Sequence, residues 1–230
     1  MSSKFFLFAV GIGLLSLFTS AQAQLNSVEK KASYAIGVDL AHNLRSQGIE
    51  LDVSTFLQGL EDALKQQNLK LTNEQMAEAI ETFSRNLEEK KQAKLQAAAK
   101  TNAQRGREFL AENKSKPNII SLESGLQYRV IEAGKGRTAT ENDVIIAHYR
   151  GTLIDGTEFD NSFNRGTPIE FKLNNVIPGW QEALKLMSPG AKWEIFVPAE
   201  LAYGERGAGN VIGPNETLIF EIHFIALGTK

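Results

Sequence analysis

The chain has 230 residues, 42% of them hydrophobic, with 25 basic against 27 acidic side chains and a formal net charge of −2, so it has room for one or two domains with a real core. That balance, with no basic cluster, gives no electrostatic reason to expect nucleic-acid binding. With no cysteine there is no disulfide, no thiol nucleophile, no thiolate metal site and no cysteine to carry a lipid.

The first element is a targeting segment. Lys4 precedes the apolar run "FFLFAVGIGLLSLF", and "TSAQAQ" then places Ala21 and Ala23 in an A-x-A arrangement. This predicts a secretory signal over residues 1–23. The run is shorter than the roughly 20 residues that a membrane span needs.

A helix is predicted over Ser27 to Gln47, with Asn26 and Glu29 as a capping box and Gly48 as the stop. Val28, Tyr34, Ile36, Leu40 and Leu44 are its apolar material. A second helix starts near Asp52 or Ser54 and carries Phe56, Leu57, Leu60 and Leu64. Thr72, with Gln75 three residues later, caps a third helix. Nothing but Gly106 interrupts it from Asn73 to about Glu112, a length of about 60 Å at 1.5 Å per residue.

That long helix changes character along its length. Met76, Ile80, Phe83 and Leu87 form one apolar stripe. The following "EEKKQAKLQAAAKTNAQRGRE" has almost none, and its Ala, Lys, Glu and Gln predict a solvated stalk over 72–114. The helices of residues 24–71 bury too little surface to stand alone, which predicts a homodimer built by this N-terminal region. A small monomeric helical cap is the other reading.

All six prolines and both tryptophans lie at or beyond Pro117, a composition shift that marks a domain over 115–230. There the pattern is short strands: "GLQYRVIEAG", "DVIIAHYRGTLIDGTEFDNSF" with a turn at Asp155-Gly156, "PIEFKL", "KWEIFVP" and "ETLIFEIHFIAL". One short helix begins at Pro178 and stops at "SPG", Ser188 to Gly190. The fold class is α+β: a curved antiparallel sheet wrapped on a short helix, preceded by an all-α dimerisation region and a long stalk helix.

Trp180 opens that short helix, where small polar caps are the usual choice. It is either a core tryptophan or the floor of an apolar cavity between helix and sheet. In the second case its indole N–H and the free N–H groups of the first turn face the rim.

The segments "HYRGTLIDGTEFDNSF" (148–163), "VIPGWQEAL" (176–184), "FVPAELAYGERG" (196–207) and "IGPNETLIFEIHFIAL" (212–227) resemble the FKBP-type peptidyl-prolyl cis-trans isomerases. The match covers essentially all of residues 115–230. The N-terminal region, through "SYAIGVDLAHNLRSQG" and the stalk, is similar to the macrophage infectivity potentiator (Mip)-like branch, whose members are V-shaped dimers exported by Gram-negative bacteria. The resemblance implies a pocket of Tyr149, Phe159, Phe171, Val176, Trp180, Ile212 and Phe220, with Asp160, Tyr203 and the backbone of Ile177 as catalytic groups. Ile169 and Ala208 depart from the best-known single-domain members, which have an aromatic and a histidine there, so the rim should be wider or flatter. It also implies proline-containing polypeptides and FK506/rapamycin-type macrolides as ligands, and a place in the periplasm or at the outer membrane or cell surface.

The chemistry suits these residue types. The X-Pro barrier is about 20 kcal/mol because the C–N bond has charge-separated double-bond character. An apolar aromatic pocket does not solvate that character and so favours the twisted amide. No nucleophile, metal or cofactor is required. "GERGAGN" lacks the Lys-Ser/Thr of a phosphate loop and reads as a mobile rim. His42, His148 and His223 are singletons without metal-ligand spacing, and no G-x-S-x-G supports a serine hydrolase. Two function classes remain: a prolyl isomerase for exported chains, or a dimeric holdase chaperone or surface adhesin whose pocket only recognises proline.

Overall fold

The computed structural model describes residues 25–228; the expected leader over 1–23 lies outside them. The chain forms two compact units, one ending at Thr82 and one running from Phe83 onward, so the division falls inside the long helix.

The first unit holds α1 (Val28–Ser46), α2 (Val53–Leu64) and the start of α3 (Asn73–Asn113). Local chemistry sets the ends. Asp52 Oδ1 accepts from the Thr55 N–H at 2.8 Å and caps α2. Thr72 and Gln75 cap α3 reciprocally, each side chain taking the other's backbone N–H, at 3.2 and 2.9 Å. The cap of α1 is Ser27 rather than Asn26: its hydroxyl accepts from Lys30 N at 3.3 Å. Both residues suit a cap, and the helix starts one position later than the sequence pattern implied. Neither α1 nor α2 contains a buried residue. No described helix is long and apolar enough to cross a membrane.

The second unit is built on an antiparallel sheet of β1 (Ile120–Ser121), β2 (Gln127–Glu132), β3 (Val144–Leu153), β4 (Glu158–Asn161), β5 (Ile169–Lys172), β6 (Lys192–Val197) and β7 (Leu218–Leu227). The order is β1-β2-β6-β7-β3-β4, with β5 also on β3. One edge of the ten-residue β3 serves two partners, β5 along Val144–Ala147 and β4 along Arg150–Thr152. The hairpin between β3 and β4 turns at Asp155-Gly156, where Gly156 has φ +87° and donates to the Leu153 carbonyl at 3.0 Å.

The core follows the period-two rule of strands. Leu218, Phe220, Ile222 and Phe224 of β7 face inward with Trp193, Ile195 and Val197 of β6 and Ile145 and Ala147 of β3. Helix α4 (Pro178–Leu186) closes this face. Proline at its first position needs no N–H. Trp180, Ala183, Leu184 and Met187 recur at i, i+3, i+4 and i+7, so one stripe enters the core.

Residues 88–97 of α3 are exposed, but the last turns of the helix are not a free stalk. They lie on the sheet domain through Asn102, Gly106, Phe109 and Asn113, spaced four, three and four apart. Asn102 donates to the Pro214 carbonyl at 3.0 Å. Asn113 donates to Gln127 Oε1 at 3.0 Å, and Gln127 donates to the Leu110 carbonyl at 2.8 Å. The Phe109 ring lies 5.9 Å from that of Phe196. A Cβ on Gly106 would meet Thr217 Oγ1 at 2.3 Å, so only glycine lets the helix come this close. An apolar-periodicity search misses this stripe because small and amide side chains form it.

Candidate active site

Strand β3 places Tyr149 in the same alternating series as Ile145 and Ala147, β4 contributes Phe159 and Asp160, and α4 brings Trp180 beneath them. The loops on either side add Val176 and Ile177 before α4, and Tyr203 and Ile212 after β6. Together with Phe220 of β7 they line an open cavity of about 480 Å³. Ile169 and Ala208, the two departures from the family pattern, also line it. Gly209 and Asn210 of the "GERGAGN" rim complete the wall with Asn175 and Val211, which the sequence analysis did not name.

Trp180 is the floor and is also a core residue, at 4% exposure. Its ring stands edge-on to Tyr149 at 5.2 Å, Phe220 at 5.3 Å and Phe171 at 5.6 Å. Phe159 stands edge-on to Phe220 at 5.6 Å. Such pairs contribute about 0.5–1.5 kcal/mol each beyond the area they bury, and they fix ring orientation. Gly151 permits this: a Cβ there would meet the Phe159 ring at 2.5 Å. Phe171 differs from expectation. It supports Trp180 and is absent from the cavity lining, because it pairs with Ile145, one pleat farther along β3 than Ile169, which pairs with Ala147 and does line the cavity.

The polar groups fall into two sets. Asp160 is engaged: it accepts from the Tyr149 hydroxyl, from Arg165 and, at 2.8 Å, from the Asn161 N–H. Burial alone would raise its pKa, but these donors together hold it below the ordinary carboxylate value. Burial, then the bond to Asp160, pushes the Tyr149 phenol up. Arg165 also lies over the Tyr149 ring at 5.9 Å. It was not singled out in the sequence, although a lone arginine five residues after a pocket carboxylate is a readable signal.

The second set is free among the described residues. The Trp180 indole N–H is buried without a partner. The Ile177 N–H and the Tyr203 hydroxyl donate to no described protein group. Burial, and then the nearby Asp160 charge, raises the Tyr203 pKa and keeps it a donor. One expected donor is not free: the Trp180 backbone N–H is taken by the Ile177 carbonyl at 3.0 Å. His148 is held by Ser162 at 3.0 Å. No three metal-ligating side chains cluster among the described residues.

An apolar aromatic cavity with a few fixed donors defines a site for an apolar ring flanked by carbonyls. Comparison with known proteins gives the class. A family model described as FKBP-type peptidyl-prolyl cis-trans isomerase matches residues 135–225. A second, described as the domain amino terminal to FKBP-type peptidyl-prolyl isomerase, matches residues 29–130. The chain is 44% identical to the outer membrane protein MIP of Legionella longbeachae, over 95% of this chain and 94% of that protein. It is 44% identical to the peptidyl-prolyl cis-trans isomerase Mip of Coxiella burnetii, over 96% of each. The crystal structure of FkpA from Escherichia coli matches 88% of this chain and 97% of its own, with a TM-score of 0.72 at 35% identity.

The chain belongs to the FKBP-type peptidyl-prolyl cis-trans isomerases. It is an isomerase of X-Pro bonds, and these matches do not favour the holdase or adhesin reading.

Proposed function

We propose that the cavity of the second unit is the site of catalysis and that the donors left free around it determine how it works. Tyr149, Phe159, Trp180 and Phe220 grip the proline ring, with Val176 and Ile212 at its sides and Phe171 behind the floor. The Ile177 N–H and the Tyr203 hydroxyl take the flanking substrate carbonyls. Asp160, kept ionised and fixed by Tyr149 and Arg165, orients the pocket and faces the twisting amide. The amide leaves water, loses solvation of its planar charge-separated form, and rotates with no bond made or broken.

The observation that carries this reading is the pairing of an aromatic cavity with donors that have no other partner in the described chain. Its substrates are proline-containing polypeptides, and macrolides of the FK506/rapamycin type compete for the same walls. The exposed apolar faces of α1 and α2 support a homodimer through these helices, with residues 24–71 as the dimerisation region. The A-x-A leader pattern and the relatives support an exported protein acting in the periplasm or at the outer membrane of a Gram-negative bacterium, where uncatalysed proline isomerisation takes about 10–100 s.

Exchange spectroscopy on a short Phe-Pro peptide tests the site. Asp160→Leu, folded by circular dichroism, is expected to lose at least about tenfold in rate, the range of one general electrostatic contribution. A folded Asp160→Leu with the wild-type rate would remove Asp160 from the mechanism.

A further inference from the structure

We infer that Asn102 is a positioning residue for the isomerase site: from the flank of α3 it fixes the hairpin Gly204–Asn215, which carries the rim of the cavity. The inference rests on the cavity being the active site. That hairpin follows Tyr203 directly and supplies Ala208, Gly209, Asn210, Val211 and Ile212 to the lining. It has little to hold it from within. Ala208 and Ile212 exchange backbone bonds of 2.9 and 3.2 Å at the tip, and Asn215 N–H reaches the Gly204 carbonyl at 2.8 Å at the base. Glycines at 204, 207 and 209, all at positive φ, and at 213 leave it a wide choice of other backbone states.

The outside support comes from one face of α3. The Asn102 amide donates to the Pro214 carbonyl at 3.0 Å, two residues from Ile212, and packs against Gly213. The Asn215 amide donates back to the Ala99 carbonyl at 3.4 Å. One turn on, Gly106 admits the buried Thr217 that leads into β7. Asn102 is itself buried, so its bond to Pro214 is sheltered from competing water. The helix that joins the two units thus also holds the loop that gates substrate contact. Asn102 touches no cavity wall and acts only through the hairpin.

The test uses the full chain and the Phe-Pro peptide. Asn102→Ala and Asn102→Asp remove the donated bond, the second with almost no change in size. Both are expected to raise KM about threefold to tenfold with kcat within about twofold, because rim contacts act alike on ground and transition states. Amides of 207–212 are expected to exchange with solvent about tenfold faster, while those of α4 and β6 stay as they were. Gln104→Ala, on the exposed side of the same turn, should change neither. Unchanged KM and unchanged exchange at 207–212 in both Asn102 variants, with Asp160→Leu inactive, would overturn the inference. A fully active Asp160→Leu would instead overturn the site reading beneath it. If the Asn102 variants lose protection throughout the unit, Asn215→Asp cuts the same junction from the loop side and tolerates the positive φ. Wild-type KM and exchange in that variant would overturn the inference as well.

Discussion

In the first unit Val28 is 78% and Leu64 75% exposed, whereas in the second Ile145, Leu184 and Phe224 have no exposed surface. The two regions use apolar side chains for different ends. Around Trp180 they close a core and leave one shaped opening, which is what binding a small apolar ring requires. Along α1 and α2 they form faces that nothing in their own unit covers, which is what association requires. Helix α3 shows the same contrast within one element: its early stripe is Met76, Ile80, Phe83 and Leu87, while its late stripe is Asn102, Gly106, Phe109 and Asn113, already seated on the sheet.

The strongest way to break this contrast is truncation. Trp180→Ala removes the cavity floor and three ring contacts, and should lower unfolding free energy by about 3–5 kcal/mol in urea. Leu64→Ala, in dilute protein where association is lost, should change it by less than about 0.5 kcal/mol. A large cost at Leu64 that grows with protein concentration would place that side chain in the subunit interface.

Glycine substitutions give the next effect, with opposite signs. Gly106→Ala drives a methyl into Thr217 and should destabilise by about 1–3 kcal/mol. Gly37→Ala and Gly59→Ala meet nothing within 4 Å in their own chain and should stabilise their helices by up to about 1 kcal/mol. Thermal unfolding of the three variants reads this directly. Loss of the proposed dimer in Gly37→Ala or Gly59→Ala would map its close-packed face.

At the cavity the pH response turns on Asp160. The folded pKa of Asp160 lies below the ordinary carboxylate value, so its contribution is present above that value and is lost as pH falls through the depressed one. Peptide catalysis should therefore stay level from pH 8 down to about 5 as far as Asp160 is concerned. A drop centred near pH 6 would mean that another group controls the rate. The smallest effect is at Arg165. Its pair with Asp160 is half in solvent, so Arg165→Ala should lower kcat/KM only about twofold to fivefold, and less at high salt.

Much of this was legible beforehand. The caps at Asp52 and Thr72, the Asp155-Gly156 turn and Pro178 at the start of α4 are local signals, the first two set by side-chain hydrogen bonds within three residues and the others by backbone preference. The cavity lining was legible where motif and strand alternation agree, as at Tyr149, Phe159 and Phe220. What escaped depends on chain segments far apart in sequence. Phe171 moved behind the floor because of strand pairing that no single segment encodes. Arg165 is the exception: it lies five residues after Asp160, a local signal that was not singled out. The Asn102 stripe escaped because its docking groups, Phe109 apart, are amides and a glycine, which composition assigns to solvent. Strand β1, two residues long, is too short for any periodicity.

The most direct test separates the two regions in one sample. Ile36→Glu with Leu57→Glu places charge on the exposed faces of α1 and α2, and sedimentation equilibrium is read beside Phe-Pro exchange. The account predicts a monomer whose peptide kcat/KM stays within about twofold of the wild-type protein, which the proposal holds to be a dimer. A monomer that has lost peptide catalysis, or a variant still dimeric with both charges in place, would contradict the division of labour between the helices and the cavity.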